Sequence, residues 1–173
     1  MHIIYREAVG DDAAALLSHL SCVGGETENL SYGKNTFRIS VEKEKRFIER
    51  FKNNPGDVML VALDGSAVVG NGIIERNRVE RYNHRAELSI TVLKKYWGLG
   101  IGSRLMQMMI EFAKESGIEN IYLEVRSDNE RAISLYKRFG FTRIGVYEDF
   151  FKIDGKYYTA DLMTLNLKKT EFF

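Results

Sequence analysis

Residues 87–105, "ELSITVLKKYWGLGIGSRL", run from an alternating stretch through a bare loop into a helical pattern. Leu88, Ile90 and Val92 alternate with Glu87, Ser89, Thr91 and Leu93, which is the period of a strand with two unlike faces. Gly98, Gly100 and Gly102 then occupy alternate positions immediately before a run with helical apolar spacing. The first turn of a helix carries N–H groups with no partner inside the helix, and a partial positive charge. Glycines let a ligand approach the backbone unobstructed. Strand, glycine loop and helix in this order can therefore cradle a phosphate with main chain alone. A Gly-rich turn with no ligand is the plainer reading, and the rest of the chain has to decide between them.

The chain of 173 residues is 45% hydrophobic, enough for one compact domain with a core of its own, spanning residues 1–173. Lys and Arg number 25 against 24 Asp and Glu, so no basic field points to nucleic acid. Cys22 is the only cysteine, which excludes an intrachain disulfide and suits a reducing compartment. The opening "MHIIYREAVGDD" reaches acidic residues too early for a signal peptide, and no apolar run is long enough to span a bilayer. A cytoplasmic location is expected, with no membrane partner. His2, His19 and His84 lack metal-ligand spacing, so no metal is expected.

Outward from the loop, "HIIYREA" reads as a strand, and Asp11 and Asp12 offer a cap for a helix over "AAALLSHL". Residues 21–37, "SCVGGETENLSYGKNTF", read as a long loop. Ser40 caps a helix over "VEKEKRFIERFKNN". "DVMLVAL" and "SAVVGNGIIER" flank Asp64-Gly65, a hairpin signal. The helix after the glycine loop has Leu105, Met108, Met109 and Phe112 as its buried stripe and closes at Gly117. "NIYLEV" is a further strand. In "SDNERAISLYKRFG", Ser127 and Glu130 have capping-box spacing, and Gly140 ends the helix. Strands on either side of Asp154-Gly155 close the chain. The order implies an α/β fold with antiparallel hairpins at both ends of the sheet and a parallel pair in the middle.

Two ordered motifs make the chain resemble the Gcn5-related N-acetyltransferase (GNAT) superfamily. The first is the strand–loop–helix quoted above, whose usual loop pattern is Gln/Arg-x-x-Gly-x-Gly/Ala. Gly100 and Gly102 match its glycines, and Trp97 stands at the Gln/Arg position. The second is "NERAISLYKRFGF", where Asn129, Ala132, Tyr136, Gly140 and Phe141 fall in register with Asn-x-x-Ala-x-x-x-Tyr-x-x-x-Gly-Phe. The resemblance covers residues 82–167 well and the N-terminal half in element order only. A dinucleotide-binding fold competes for the glycines, but it expects a third glycine where Ser103 stands.

The resemblance implies a GNAT fold, a single mixed central sheet of about seven strands flanked by about four helices. It implies acetyl-CoA as the donor and a primary amine of a small molecule or protein N-terminus as the acceptor. The two would meet by direct attack in a ternary complex. Backbone N–H groups of Gly98, Leu99, Gly100, Ile101, Gly102 and Ser103 would hold the pyrophosphate, with Trp97 in the same loop. Ile90, Thr91, Val92 and Leu93 would line the pantetheine arm and polarise the thioester carbonyl, and Asn129 would contact the same arm. Tyr136 would protonate the leaving thiolate. A homodimer is implied by family habit. An acyl-CoA-binding sensor of the same fold, without catalysis, is the alternative.

An amine of pKa ~10 is mostly protonated at neutral pH, so transfer needs a base. Glu87 is the candidate, with Glu148 and Asp149 in reserve. The acceptor is expected between residues 23–38 and the hairpin from Tyr147 to Tyr158, both of which are rich in aromatic and charged residues.

Overall fold

The computed structural model describes residues 2–34 and 36–168. In chain order the elements are β1 (Ile3–Glu7), α1 (Ala13–Glu26), α2 (Val41–Asn53), β2 (Val58–Asp64), β3 (Ala67–Arg76), β4 (Arg85–Val92), α3 (Ile101–Glu115), β5 (Asn120–Arg126), α4 (Glu130–Arg138), β6 (Thr142–Ile153) and β7 (Lys156–Asn166). The strands form one seven-stranded sheet in the order β1-β2-β3-β4-β5-β7-β6. Only β4 and β5 are parallel; every other pair is antiparallel. The expected architecture, hairpins at both ends around a parallel pair, is the one observed.

Alternation along the strands divides the core in two. Met59, Val61, Leu63 and Val68 meet Leu16, Ile48 and Phe51 of α1 and α2 on one face. Leu60, Ala62, Val69, Ala86, Leu88, Ile121 and Leu123 meet α3 and α4 on the other. Ser40 caps α2 as expected, its hydroxyl accepting from the Lys43 N–H.

Four details differ from the sequence reading. Asp12 stands at the N-cap of α1, but its carboxylate accepts from Arg6 and from the Val9 N–H instead of capping the helix. Helix α1 runs on to Glu26, through Gly24 and Gly25, so the loop begins only at residue 27; Asn35, within that loop, lies outside the described residues. A Cβ on Gly24 would stand 2.7 Å from the carbonyl oxygen of Gly33. The glycine admits the returning backbone against the helix instead of ending the helix. In α3 the fully buried residues are Ile101, Leu105, Met106, Met109 and Ala113, while Met108 and Phe112 are half-buried. In α4 the cap is Asn129, whose side-chain oxygen accepts from the Ala132 N–H. Ser127, expected in that role, donates to Asp161 instead.

The parallel contact is short. Only Arg85–Asn120, Ala86–Ile121 and Glu87–Tyr122 pair. Beyond them β4 stays with β3 as far as Val92, and β5 stays with β7 as far as Arg126. The two strands therefore splay, and a split opens at the middle of the sheet toward the glycine loop.

Helix α3 lies close over β3 because β3 has glycines where they face it. A Cβ on Gly70 would sit 3.0 Å from Ile101 Cγ2 and 3.1 Å from Leu105 Cδ1, and one on Gly72 would sit 3.0 Å from Met109 Sδ. The row Ile101, Leu105, Met109 is thus pressed onto the sheet, and it carries the N-terminus of α3 to the end of β4. Gly70→Val should overpack this contact by about 1–3 kcal/mol, more than valine's strand preference returns. Urea unfolding at neutral pH measures it, and an unchanged midpoint would show that α3 has room to spare.

Candidate active site

The glycine loop forms the N-terminus of α3. Gly98 and Gly100 have φ of 78° and 81°, in the left-handed region that glycine tolerates without strain. Gly100 is the N-cap and supplies no side chain, and the first turn holds no acidic residue. Its leading N–H groups are thus unmet by any cap and lie beside a half-exposed Gly102 and Ser103. A Cβ on Gly102 would point at Leu135, Val92 and Ile90, at 3.4–4.0 Å. The first turn therefore faces the split between β4 and α4.

Strand β4 presents backbone groups to the same split. The Leu93 N–H donates to Val69 of β3 at 3.0 Å. By alternation, Thr91 and Ser89 also turn their backbone toward β3, whereas Ile90 and Val92 turn theirs toward the split. The Val92 carbonyl there accepts from Trp97 Nε1 at 2.8 Å. The N–H groups of Ile90 and Val92 are the donors aimed into the gap.

Tyr136 lies on α4 with its ring against Phe141. Its hydroxyl has no hydrogen-bond partner among the described residues, and burial pushes its pKa up to about 12. The phenol therefore keeps its proton throughout the neutral range, and burial makes it a weaker acid than an exposed tyrosine. Glu87 sits at the last β4–β5 pair, opposite Tyr122, where the split begins. Its side chain is on the sheet face away from α3 and α4. Loss of hydration raises its pKa above the ordinary carboxylate value, and Glu124 and Glu75 raise it further. A raised carboxylate accepts a proton more readily. Acid and base candidates thus lie on opposite faces of the sheet with the split between them. Asn129 is the N-cap of α4, its side-chain oxygen held by the Ala132 N–H.

Comparison with known proteins follows this geometry. The model of the acetyltransferase (GNAT) family matches residues 27–141. The chain belongs to this family. It is 34% identical over 113 residues to the N-alpha-acetyltransferase RimI of Mycobacterium tuberculosis, covering 65% of this chain and 66% of that protein, just short of two thirds of its length. It is 32% identical over 130 residues to the L-amino acid N-acetyltransferase AaaT of Escherichia coli, covering 75% and 80%. A crystal structure of a GNAT-family acetyltransferase from Streptococcus pneumoniae superposes with a TM-score of 0.93 at 30% identity, over 96% of this chain and all of that one. Among the described residues no helix is long and apolar enough to cross a membrane.

In this GNAT protein the two segments expected to flank an acceptor meet at one buried residue. Arg126, at the end of β5, donates to the Glu28 carbonyl at 3.1 Å and packs its guanidinium 3.9 Å from the Tyr158 ring centroid. Asp128 holds it by two further bonds, at 2.9 and 2.6 Å. The loop after α1 is thereby tied to the closing hairpin. Glu26, at the end of α1, accepts from the Lys94 N–H at 2.7 Å and ties α1 to the start of the glycine loop. Glu148 and Asp149 fall in an irregular stretch of β6 between Tyr147 and Phe151, and Asp149 has a φ of 53°.

The sequence reading assigned no role to His19. It is buried on α1, with Nδ1 3.1 Å from the Val68 carbonyl and Nε2 2.8 Å from Thr91 Oγ1. A carbonyl only accepts, so Nδ1 carries the proton and Nε2 accepts from the threonine hydroxyl. The imidazole thus ties α1 to β4 beside Ile90 and Val92. Nothing in the local sequence signals this, because the partners lie 49 and 72 positions away.

Burial lowers the His19 pKa to about 4, against the opposing influence of the Val68 carbonyl and Glu26. An unfolded imidazole titrates near 6.5, so the unfolded chain takes up the proton first as pH falls. The stability from neutral His19 is complete above about pH 6.5 and drains away toward pH 4, by about 3 kcal/mol at most. Urea unfolding of the wild type and His19→Gln between pH 7 and 4.5 should show the wild-type advantage shrinking. A constant advantage would mean that His19 is not held neutral.

Proposed function

We propose that the protein is an acetyl-CoA-dependent N-acetyltransferase acting as one catalytic domain on a primary amine of a small molecule or a peptide N-terminus. The observation that carries this reading is the uncapped N-terminus of α3, opened by positive-φ glycines onto the β4–β5 split, in a member of the GNAT family. The N–H groups from Gly98 to Ser103 would hold the pyrophosphate. The Ile90 and Val92 N–H groups would hold the pantetheine arm and polarise the thioester carbonyl, and Asn129 would contact the arm from α4. One relative is an N-alpha-acetyltransferase and the other an L-amino acid N-acetyltransferase, which supports an amine acceptor of the amino-acid or peptide kind.

In this reading the acceptor enters from the α1–α2 face, between the loop after α1 and the β6–β7 hairpin. Glu87 takes a proton from the ammonium, directly or through water. The neutral nitrogen attacks the thioester carbonyl carbon, and donors in the split stabilise the negative oxygen. The carbon–sulfur bond then breaks, and Tyr136 gives its proton to the departing thiolate. The second proton, shed by the new amide nitrogen, returns through water to the Tyr136 phenolate, while the one on Glu87 leaves to solvent. The raised pKa of Glu87 favours its part, and the Tyr136 phenol carries the proton that the thiolate needs.

Calorimetry with acetyl-CoA and thiol release with a panel of amino acids, peptides and polyamines test the reading together. Tyr136→Phe should lower turnover by about 10²-fold or more while leaving the dissociation constant for acetyl-CoA nearly unchanged. Glu87→Gln should lower turnover most at pH values where the carboxylate is ionised and the amine still protonated, and least at high pH, where the amine is already free. Failure to bind acetyl-CoA would overturn the assignment. Binding without thiol release across the panel would favour a sensor.

The same proposal includes a homodimer through β6, an edge strand on which Ile144, Val146 and Tyr147 are 65%, 51% and 55% exposed. Sedimentation velocity should show a dimer that Val146→Lys disperses. A monomeric wild type at working concentration would remove this part.

A further inference from the structure

Trp97 and Arg131 come from opposite sides of the split. Trp97 follows β4 and leads into the glycines, whereas Arg131 is the second residue of α4, which follows β5. The Arg131 guanidinium carbon nevertheless lies 4.6 Å from the centroid of the Trp97 ring. That ring is itself fixed by the bond from Nε1 to the Val92 carbonyl. The pair is a bridge of side chains across an opening that the backbone leaves unpaired.

Arg131 is exposed, and among the described residues the aromatic face is its only partner. A guanidinium on a ring face keeps its N–H donors available and is restricted in where it points. The ring belongs to the residue immediately before Gly98, so the cation is braced on the segment that leads into the glycine loop. Lys94 and Lys95 precede Trp97 and the first turn of α3 has no acidic residue, although Glu26 accepts from the Lys94 N–H and Glu130 adjoins Arg131. A surface lysine would be a mobile point charge. An arginine braced on indole is a placed fork that fits two phosphate oxygens.

We propose that Arg131, braced on Trp97, closes the cradle from the α4 side and pairs with the pyrophosphate of the cosubstrate. The inference rests on the reading of the glycine loop as the pyrophosphate site. It gives Trp97 a purpose in a position where the family's loop pattern has Gln or Arg: the ring positions a cation that arrives from another element. Arg131 is a binding residue and Trp97 a positioning residue, and neither takes part in proton transfer.

Titration calorimetry on the full chain tests this with acetyl-CoA and with its 3′-dephospho analogue, with circular dichroism confirming the fold of each variant. Arg131→Ala should weaken both ligands about 10-fold and equally, since both keep the pyrophosphate. Arg131→Lys should recover part of the loss, and Trp97→Ala should reproduce Arg131→Ala. The double variant should be little worse than either single one, because the two residues act as a unit. Gly100→Val is the control for the cradle itself. If it abolishes binding while Arg131→Ala binds like the wild type, the inference fails and the cradle stands. If Gly100→Val also binds normally, the cradle reading fails with it. A loss confined to the ligand with the 3′-phosphate would move Arg131 from the pyrophosphate and overturn the assignment.

Discussion

The parallel contact between β4 and β5 ends after three residue pairs, and the working part of the molecule depends on that ending. Each strand has a stronger commitment on its outer side: β4 to β3 as far as Val92, β5 to β7 as far as Arg126. A sheet that continued to zip would consume the backbone groups of Ile90 and Val92 in its own ladder. Splaying leaves them facing a gap, where a backbone donor has no partner until something enters. The gap is thus lined by main-chain donors, whose presence does not depend on side-chain identity along β4.

Around that gap the structure supplies fasteners of different chemistry. Gly70 and Gly72 let α3 sit against β3, which fixes where its N-terminus emerges. His19 ties α1 to Thr91 on β4, and its neutral state is a consequence of burial. Trp97 caps the Val92 carbonyl and meets Arg131 of α4. Arg126 joins the loop after α1 to Tyr158 of β7. None of these contacts is large. Together they determine the width of an opening whose two sides are otherwise joined only at Glu87 and the residues before it.

The electrostatics of the two faces differ in a way that suits acyl transfer. Tyr136 is enclosed on the α4 side and stays neutral. Glu87 stands on the other face among the carboxylates Glu75 and Glu124, which raise its pKa together with its loss of hydration. A cationic acceptor would be drawn to the acidic face and would lose its proton there. The thiolate would form on the enclosed side, next to a donor. On the proposed mechanism the sheet would keep the two proton transfers apart.

By itself the sequence determined most of the elements, their order and the glycine turn that opens α3. Strand alternation over residues 87–93, the glycines at 98, 100 and 102, and the Asn129–Phe141 motif are local patterns, and local patterns reflect local backbone preference. The same locality explains the errors. Gly24 and Gly25 read as a helix end because their partner, the Gly33 backbone, is brought to them by the fold. Ser127 and Asn129 were both fit to cap α4, and Ser127 was taken by Asp161 from 34 positions away. Only the tertiary structure decided which face of α3 is buried, how far β4 and β5 pair, that His19 braces Thr91, and that Arg131 stands over Trp97. Each of these depends on residues far apart in the chain meeting at a set distance, and a distance of that kind has no signature in the spacing of either partner.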